Sequence, residues 1–380
     1  MTKKIKNETV KDGQFEFFGI SEPFFKTAEL MGKDIKRFVN RNDEKLDLRN
    51  ALEYKQNFAI IGDTGTGKSS LMLKFKEEYG NIYYTDYIYF SMNANTEAEM
   101  KEEFFRMILS RLLILIIEND ELLDNFDPKE IAIDTKRLNV SISLEEMEKK
   151  QIEITPEIEA NFQNLMLSSF LPIKLSAKLQ GKLGKESHKI ELLKYERHTE
   201  STLREAIIKI IHKLPATVVL FIDEMDRIIK AIRPNQNWLE EVINLLKFTS
   251  EIIVGENLLF VFALQPEIHD VFLQADRGES DDAILRYVPS FIRISGFDLT
   301  LAKEAVAESL KFAGYKGKPE DLFQADVMEI ILAASKNNPR RFMTYLLKLT
   351  SVAYKKKQTS ITPSLAKEFI AAKFAEPSPK

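Results

Sequence analysis

Residues 62–69 read Gly62-Asp63-Thr64-Gly65-Thr66-Gly67-Lys68-Ser69, between an apolar run, Phe58-Ala59-Ile60-Ile61, and a helical pattern opening at Ser70-Leu71-Met72-Leu73. A strand, a glycine-rich turn and a helix in that order leave the chain few choices of fold. The turn must sit at the carboxyl end of a strand in an α/β sheet. Glycines let the backbone bend until successive N–H groups converge, and the following helix adds its positive end. Such a nest accepts phosphate. The phosphate-binding stretch runs Gly62, Asp63, Thr64, Gly65, Thr66, Gly67, Lys68, Ser69, Ser70. Lys68 is placed to reach the β- and γ-phosphates of ATP, and the Ser69 hydroxyl to bind Mg2+.

A second run, Thr217-Val218-Val219-Leu220-Phe221-Ile222-Asp223-Glu224, ends an apolar strand in two carboxylates. Continuous apolar character marks a parallel strand buried on both faces, and ligands of open α/β sheets bind at its carboxyl end. This is a Walker B pair. Asp223 is expected to hold Mg2+ opposite Ser69, and Glu224 to orient the attacking water. The alternative for Glu224 is a helix cap with no chemical role. Asp226 is expected on the helix after the strand.

Composition removes other chemistries. The 380 residues contain no cysteine, which excludes disulfides, thiol catalysis and thiolate metal sites. Four histidines, His188, His198, His212 and His269, lack metal-ligand spacing and are expected to be ordinary residues. A net charge of −4 gives no global nucleic-acid signature. No signal-peptide pattern follows Met1, and the longest apolar stretch, within 107–117, is too short and interrupted to span a bilayer. A cytoplasmic protein with no membrane partner is expected.

The pattern predicts a loosely ordered arm over residues 1–22 and helical character from Phe24 to Tyr54. Further expected elements are a strand at Tyr87–Met92, a helix at Glu97–Ile117, a helix at Ser201–Leu214, a helix at Trp238–Ile253, a strand at Leu258–Leu264 and a short last strand at Phe291–Ile294. Helices are expected at Leu301–Ala313, Asp326–Lys336 and Pro339–Tyr354. The stretch 121–170 carries eleven acidic and five basic residues, and 173–180 alternates apolar and polar. A β-hairpin with lysines on one face and a solvated amphipathic insert both fit this region. The expected organisation is an N-terminal arm and helix over 1–35, a core over 36–298 with a charged insertion at 118–200, and a helical lid with a basic tail over 299–380.

The P-loop, the Phe221-Ile222-Asp223-Glu224 box, a polar residue after the next strand and Asn338-Pro339-Arg340-Arg341 together resemble the AAA+ ATPases, in their origin-recognition-like and STAND-like branch. The resemblance covers residues 36–118 and 200–355. It implies a P-loop NTPase fold, three layers about a parallel sheet, with a helical C-terminal lid and, here, a large insertion. Phe38-Val39-Asn40-Arg41 is similar to the branch's adenine-side box, which implies nucleotide contacts from Val39 and Arg41, although Asn40 stands where glycine is usual. Gln265 falls at the sensor 1 position, where Asn, Thr or Ser is commoner. Arg340 matches the sensor 2 arginine; the alternative is a surface arginine at a helix start. Arg286 lies where the family places an arginine finger acting across a subunit boundary, which implies a homo-oligomer. Arg293 is the weaker candidate. Origin-binding relatives usually carry a winged-helix domain after the lid, and the stretch following Tyr354 is expected to be too short for one, which weakens an origin-recognition reading specifically.

The resemblance implies an ATPase switch in a DNA-linked process, such as transposition, replication or defence. The stretch Arg340–Lys380 has nine basic and two acidic residues and could contact DNA phosphates; a solvated helix end fits equally. The alternative is a signalling ATPase controlling a partner protein. A small-molecule kinase suits the Asp-Glu box and lid poorly.

Overall fold

The computed structural model describes residues 13–21, 30, 32–90, 96–127, 200–232, 238–250, 252, 257–278 and 283–375. Residues 128–199, the greater part of the charged insertion expected at 118–200, lie outside them, and with them both readings of that region, hairpin and solvated insert. In chain order the main elements are α1 (Gly13–Phe17), α2 (Asn42–Glu53), β1 (Phe58–Ile61), α3 (Lys68–Tyr79), β2 (Tyr84–Tyr89), α4 (Glu97–Glu118), α5 (Glu200–Lys213), β3 (Val218–Asp223), α6 (Met225–Ile232), α7 (Trp238–Ser250), β4 (Leu258–Leu264), α8 (His269–Asp276), β5 (Ser290–Arg293), α9 (Leu299–Phe312), α10 (Val327–Ala334), α11 (Pro339–Lys355) and α12 (Pro363–Ala375). The chain divides into two compact units. The sheet unit is Leu48–Ile60 with Glu78–Phe291; the loop-and-lid unit is Met1–Asp47, Ile61–Glu77 and Ile292–Lys380. Among the described residues no helix is long and apolar enough to cross a membrane.

The sheet is parallel, five-stranded, in the order β2-β3-β4-β1-β5, and flanked by helices. Every residue of β1, β3 and β4 is buried, as two covered faces require. The edge strands β2 and β5 are only partly buried. β2 pairs with β3 from Tyr84↔Val218 to Tyr89↔Asp223. It therefore begins at Tyr84 rather than at the expected Tyr87, because an edge strand accepts polar Thr85 and Asp86 where a central strand does not. α4 opens with a capping box: the Thr96 hydroxyl accepts the Glu99 N–H and the Glu99 carboxylate accepts the Thr96 N–H. Its buried face, including Phe104, Phe105, Ile108 and Leu112, packs with α5 and β2.

The loop-and-lid unit has its own apolar core, built by Val306 and Leu310 of α9, Val327 and Ile331 of α10, Phe342, Leu346, Leu349 and Ala353 of α11, and Leu365 and Ala366 of α12. Two segments depart from the sequence expectation. In the described part of the N-terminal arm, α1 and the residues after it are packed: Phe18 and Ile20 enter the lid core, Gln14 Nε2 donates to Thr350 Oγ1 at 3.2 Å, and the Ser21 N–H donates to the Ala313 carbonyl at 2.9 Å. The stretch after Tyr354, expected as a basic tail, contains α12. A parallel bridge between Phe323 and Ile361 leads the chain into it.

Phe18 is 6% exposed. Phe18→Ala should therefore lower the unfolding free energy by about 3 kcal/mol, transfer and cavity terms together. Urea denaturation checks this; a loss below about 0.5 kcal/mol, the scale of an ordinary surface substitution, would make the segment peripheral.

Candidate nucleotide site

In the loop-and-lid unit the glycine-rich turn leaves β1 and enters α3 at Lys68. Gly65 has φ 88, a conformation that side chains strain to adopt. A Cβ there would also stand 2.8 Å from Arg340 Cβ and 3.0 Å from Asn338 Oδ1, so no larger residue fits. The Thr66 hydroxyl ties the turn by donating to the Asp63 carbonyl at 2.9 Å. Lys68 Nζ donates to the carbonyls of Gly62 at 2.5 Å and Asp63 at 3.3 Å, which holds the ammonium over the loop. Ser69 and Ser70 occupy the first turn of α3, where backbone N–H groups lack helical partners. Ser70 Oγ accepts the Leu30 N–H at 3.3 Å.

The lid meets this loop through the start of α11. Asn338 is its N-cap: Oδ1 accepts the Arg341 N–H at 3.1 Å while Nδ2 donates to the Thr64 carbonyl at 2.8 Å. The Arg340 N–H donates to the Gly65 carbonyl at 3.2 Å. Arg340 and Arg341 are both exposed, in a first turn that has no acidic residue. Cations at a helix N-terminus oppose the helix dipole, at a cost of about 0.3–1 kcal/mol each. An anion beside this turn would offset that cost.

Val39 and Arg41 belong to the same unit. Asn40 and Arg41 have φ 48 and 66. Asparagine is enriched at positive φ, so Asn40 meets the backbone requirement that glycine meets elsewhere. Arg41 is buried, and its guanidinium donates to Glu44 Oε1 and to the Ser295 carbonyl, each at 2.7 Å.

In the sheet unit, Asp223 ends β3 and is 3% exposed. Its Oδ1 accepts the Glu224 N–H at 2.8 Å and its Oδ2 accepts the Tyr87 hydroxyl. Glu224 turns the chain out of the strand at φ 65 and precedes α6; its carboxylate pairs with Arg227 Nη1 at 2.9 Å. Gln265 follows β4 at φ −79, ψ 159, ahead of Pro266. Arg286 is exposed on a short helix, Ala283–Tyr287, before β5; Arg293, exposed at the end of β5, falls in the loop-and-lid unit.

The residues expected from sequence thus form two groups. Gly62–Ser70, Val39, Arg41 and Arg340 lie in the loop-and-lid unit; Asp223, Glu224, Gln265 and Arg286 lie in the sheet unit. Three participants were not singled out by sequence. Asn338 could have been, since Asn before Pro at a helix start is an N-cap signature. Tyr87 and Arg227 could not, because their partners depend on strand register and on the turn at Glu224.

A family model described as an AAA domain matches residues 50–272. Similar solved structures include the ORC1 protein of Aeropyrum pernix in complex with DNA, at 10% identity and TM-score 0.45, covering 92% of this chain and 70% of that one. The Drosophila ORC bound to DNA gives 11% and 0.46, covering 99% and 70%. A Walker-type ATPase of Pyrococcus abyssi gives 12% and 0.43, covering 93% and 78%. No curated protein matches the sequence.

Proposed function

This chain belongs to the AAA-domain family and is a P-loop ATPase, and from that premise we propose that it is a Mg2+-dependent switch whose lid reports the state of the nucleotide. The observation that carries this is the direct bonding of α11 to the loop, Asn338 to Thr64 and Arg340 to Gly65. A change in the loop around the terminal phosphate acts on the first turn of the lid helix without an intermediary.

Each group has a part. The N–H groups of Gly62–Ser70 cradle the phosphates, Lys68 neutralises the β- and γ-phosphates, and Arg340 approaches the γ-phosphate from the lid. Val39 and Arg41 flank the base. Ser69 and Asp223 offer a hydroxyl and a carboxylate, the hard oxygen donors that suit Mg2+, which elsewhere completes its shell with phosphate oxygens and water. The bound ion would add charge neutralisation on the phosphates. Glu224 orients the attacking water and accepts its proton, and Gln265 serves as a polar contact to the γ-phosphate.

We assign the output to DNA. α11 carries Arg340, Arg341, Lys348 and Lys355 and no acidic residue, and Lys355, Lys356 and Lys357 are exposed at its end. Such a face suits phosphate contacts without base readout. Duplex DNA should be shifted in gels at low salt and released as salt rises, and it should alter ATPase turnover. Turnover indifferent to DNA, with no salt-dependent shift, would move the output to a protein partner.

Arg286 is assigned as a finger supplied by a neighbouring copy, so that the site is completed between subunits. Activity per subunit should then rise with protein concentration. Mixing Arg286→Ala chains with Lys68→Ala chains should restore activity at interfaces that pair an intact loop with an intact finger. Concentration-independent turnover without rescue would make Arg286 a surface residue.

A further inference from the structure

Asp226 has no part in the reading above. It is the second residue of α6 and is 3% exposed. Its Oδ1 accepts the Arg227 N–H at 2.8 Å, one of the first-turn N–H groups that lack an intrahelical partner. Its Oδ2 accepts the backbone N–H of Gln265, beyond the end of β4.

The sheet register explains why an acceptor is wanted there. β3 and β4 pair from Val218↔Leu258 to Ile222↔Phe262, which stops short of Gln265. The Asp226 carboxylate supplies an acceptor past the end of that ladder. Pro266, from the other side, confines Gln265 to extended backbone, as its φ of −79 and ψ of 159 show. Two independent restraints therefore fix the backbone from which the Gln265 side chain departs. One of them comes from a carboxylate two residues after Glu224, so the tips of β3 and β4 are tied together by a charge-assisted bond.

We infer that Asp226 is a positioning residue for ATP hydrolysis, acting by holding Gln265 in register with Glu224. This rests on the proposed role of Gln265 in the reaction. Because the bond is to the backbone of Gln265, it survives truncation of the glutamine side chain. Any effect of Asp226 on folding should therefore persist in a Gln265→Ala background, while its effect on turnover should vanish there.

The test is a double-mutant cycle of Asp226→Asn and Gln265→Ala, read in kcat, in the affinity for a fluorescent ATP analogue and in the unfolding midpoint. The amide introduced by Asp226→Asn keeps the shape of the side chain but offers only one acceptor oxygen for two N–H donors. Asp226→Asn should lower kcat by roughly tenfold or more, since small misplacements cost that much, and should weaken nucleotide affinity no more than Gln265→Ala does, since both act through one contact to the γ-phosphate. The double variant should be no slower than Gln265→Ala alone. Parent-like kcat in Asp226→Asn, or multiplicative losses in the double variant, would overturn the inference. A slow Gln265→Ala beside a silent Asp226→Asn removes the tie and leaves the role of Gln265 standing; a silent Gln265→Ala removes both. If Asp226→Asn does not fold, Asp226→Glu keeps both oxygens on a longer stem, and the same non-additivity with Gln265→Ala is required of it.

Discussion

Lys68→Ala should all but abolish ATP turnover, with kcat reduced by about 10²–10³-fold, the usual effect of removing one preorganised electrostatic donor at the reacting group. MgATP affinity should fall as well, because the lysine meets the β- and γ-phosphates in the ground state and not only in the transition state. In the structure the ammonium is anchored over the loop by the Gly62 and Asp63 carbonyls. No neighbouring cation of the loop can replace it, since Lys68 is the one basic residue in 62–70. Phosphate-release assays and equilibrium binding check both effects. Parent-like affinity and turnover would remove nucleotide binding at this loop.

Glu224→Gln should give the opposite division. The amide keeps the shape and the turn at φ 65 but loses the carboxylate that takes the proton from water. Turnover should fall by roughly 10²-fold or more with nucleotide affinity close to the parent's, and the protein should accumulate with ATP uncleaved. Loss of the Arg227 ion pair should matter little, since Arg227 is 62% exposed and such pairs contribute about 0–1 kcal/mol. If Glu224→Gln hydrolyses ATP at the parent rate, Glu224 only turns the chain between β3 and α6, and the base lies elsewhere.

The parts of the molecule that could be read from sequence are those set by short-range pattern. β3 and β4 are continuous apolar runs because both faces are covered, and Leu258–Leu264 was legible to the residue. The phosphate loop was legible because its backbone geometry is encoded in eight consecutive residues. α12 was not, because its apolar residues do not keep to one face: Leu365 and Ala366 enter the core while Phe374 is exposed. α1 was missed for a related reason: its anchors, Phe18 and Ile20, lie just after the helix, and only the lid core explains them. The Tyr87–Asp223 and Asp226–Gln265 bonds depend on how strands distant in sequence are aligned, which no local pattern encodes. Asn40 shows the converse, a departure visible in sequence whose backbone angle, φ 48, only the structure supplies.

The bonding of α11 to the phosphate loop has a thermodynamic consequence. Phe18, Ile20, Leu365 and Ala366 share one core with Phe342 and Leu346 of α11, and the first turn of α11 is bonded to the loop that holds nucleotide. Affinity at the loop and cohesion of the lid are then two readings of one free energy, and linkage makes them reciprocal. Saturating nucleotide at a hundred times its Kd should raise the stability of this unit by about 2.7 kcal/mol. A lesion as remote as Phe18→Ala should reappear as weaker nucleotide binding, to whatever extent the lid must be whole to hold the loop. A ligand at the far end of α11 that favours the bonded lid should therefore raise nucleotide affinity by the same factor by which nucleotide raises its own.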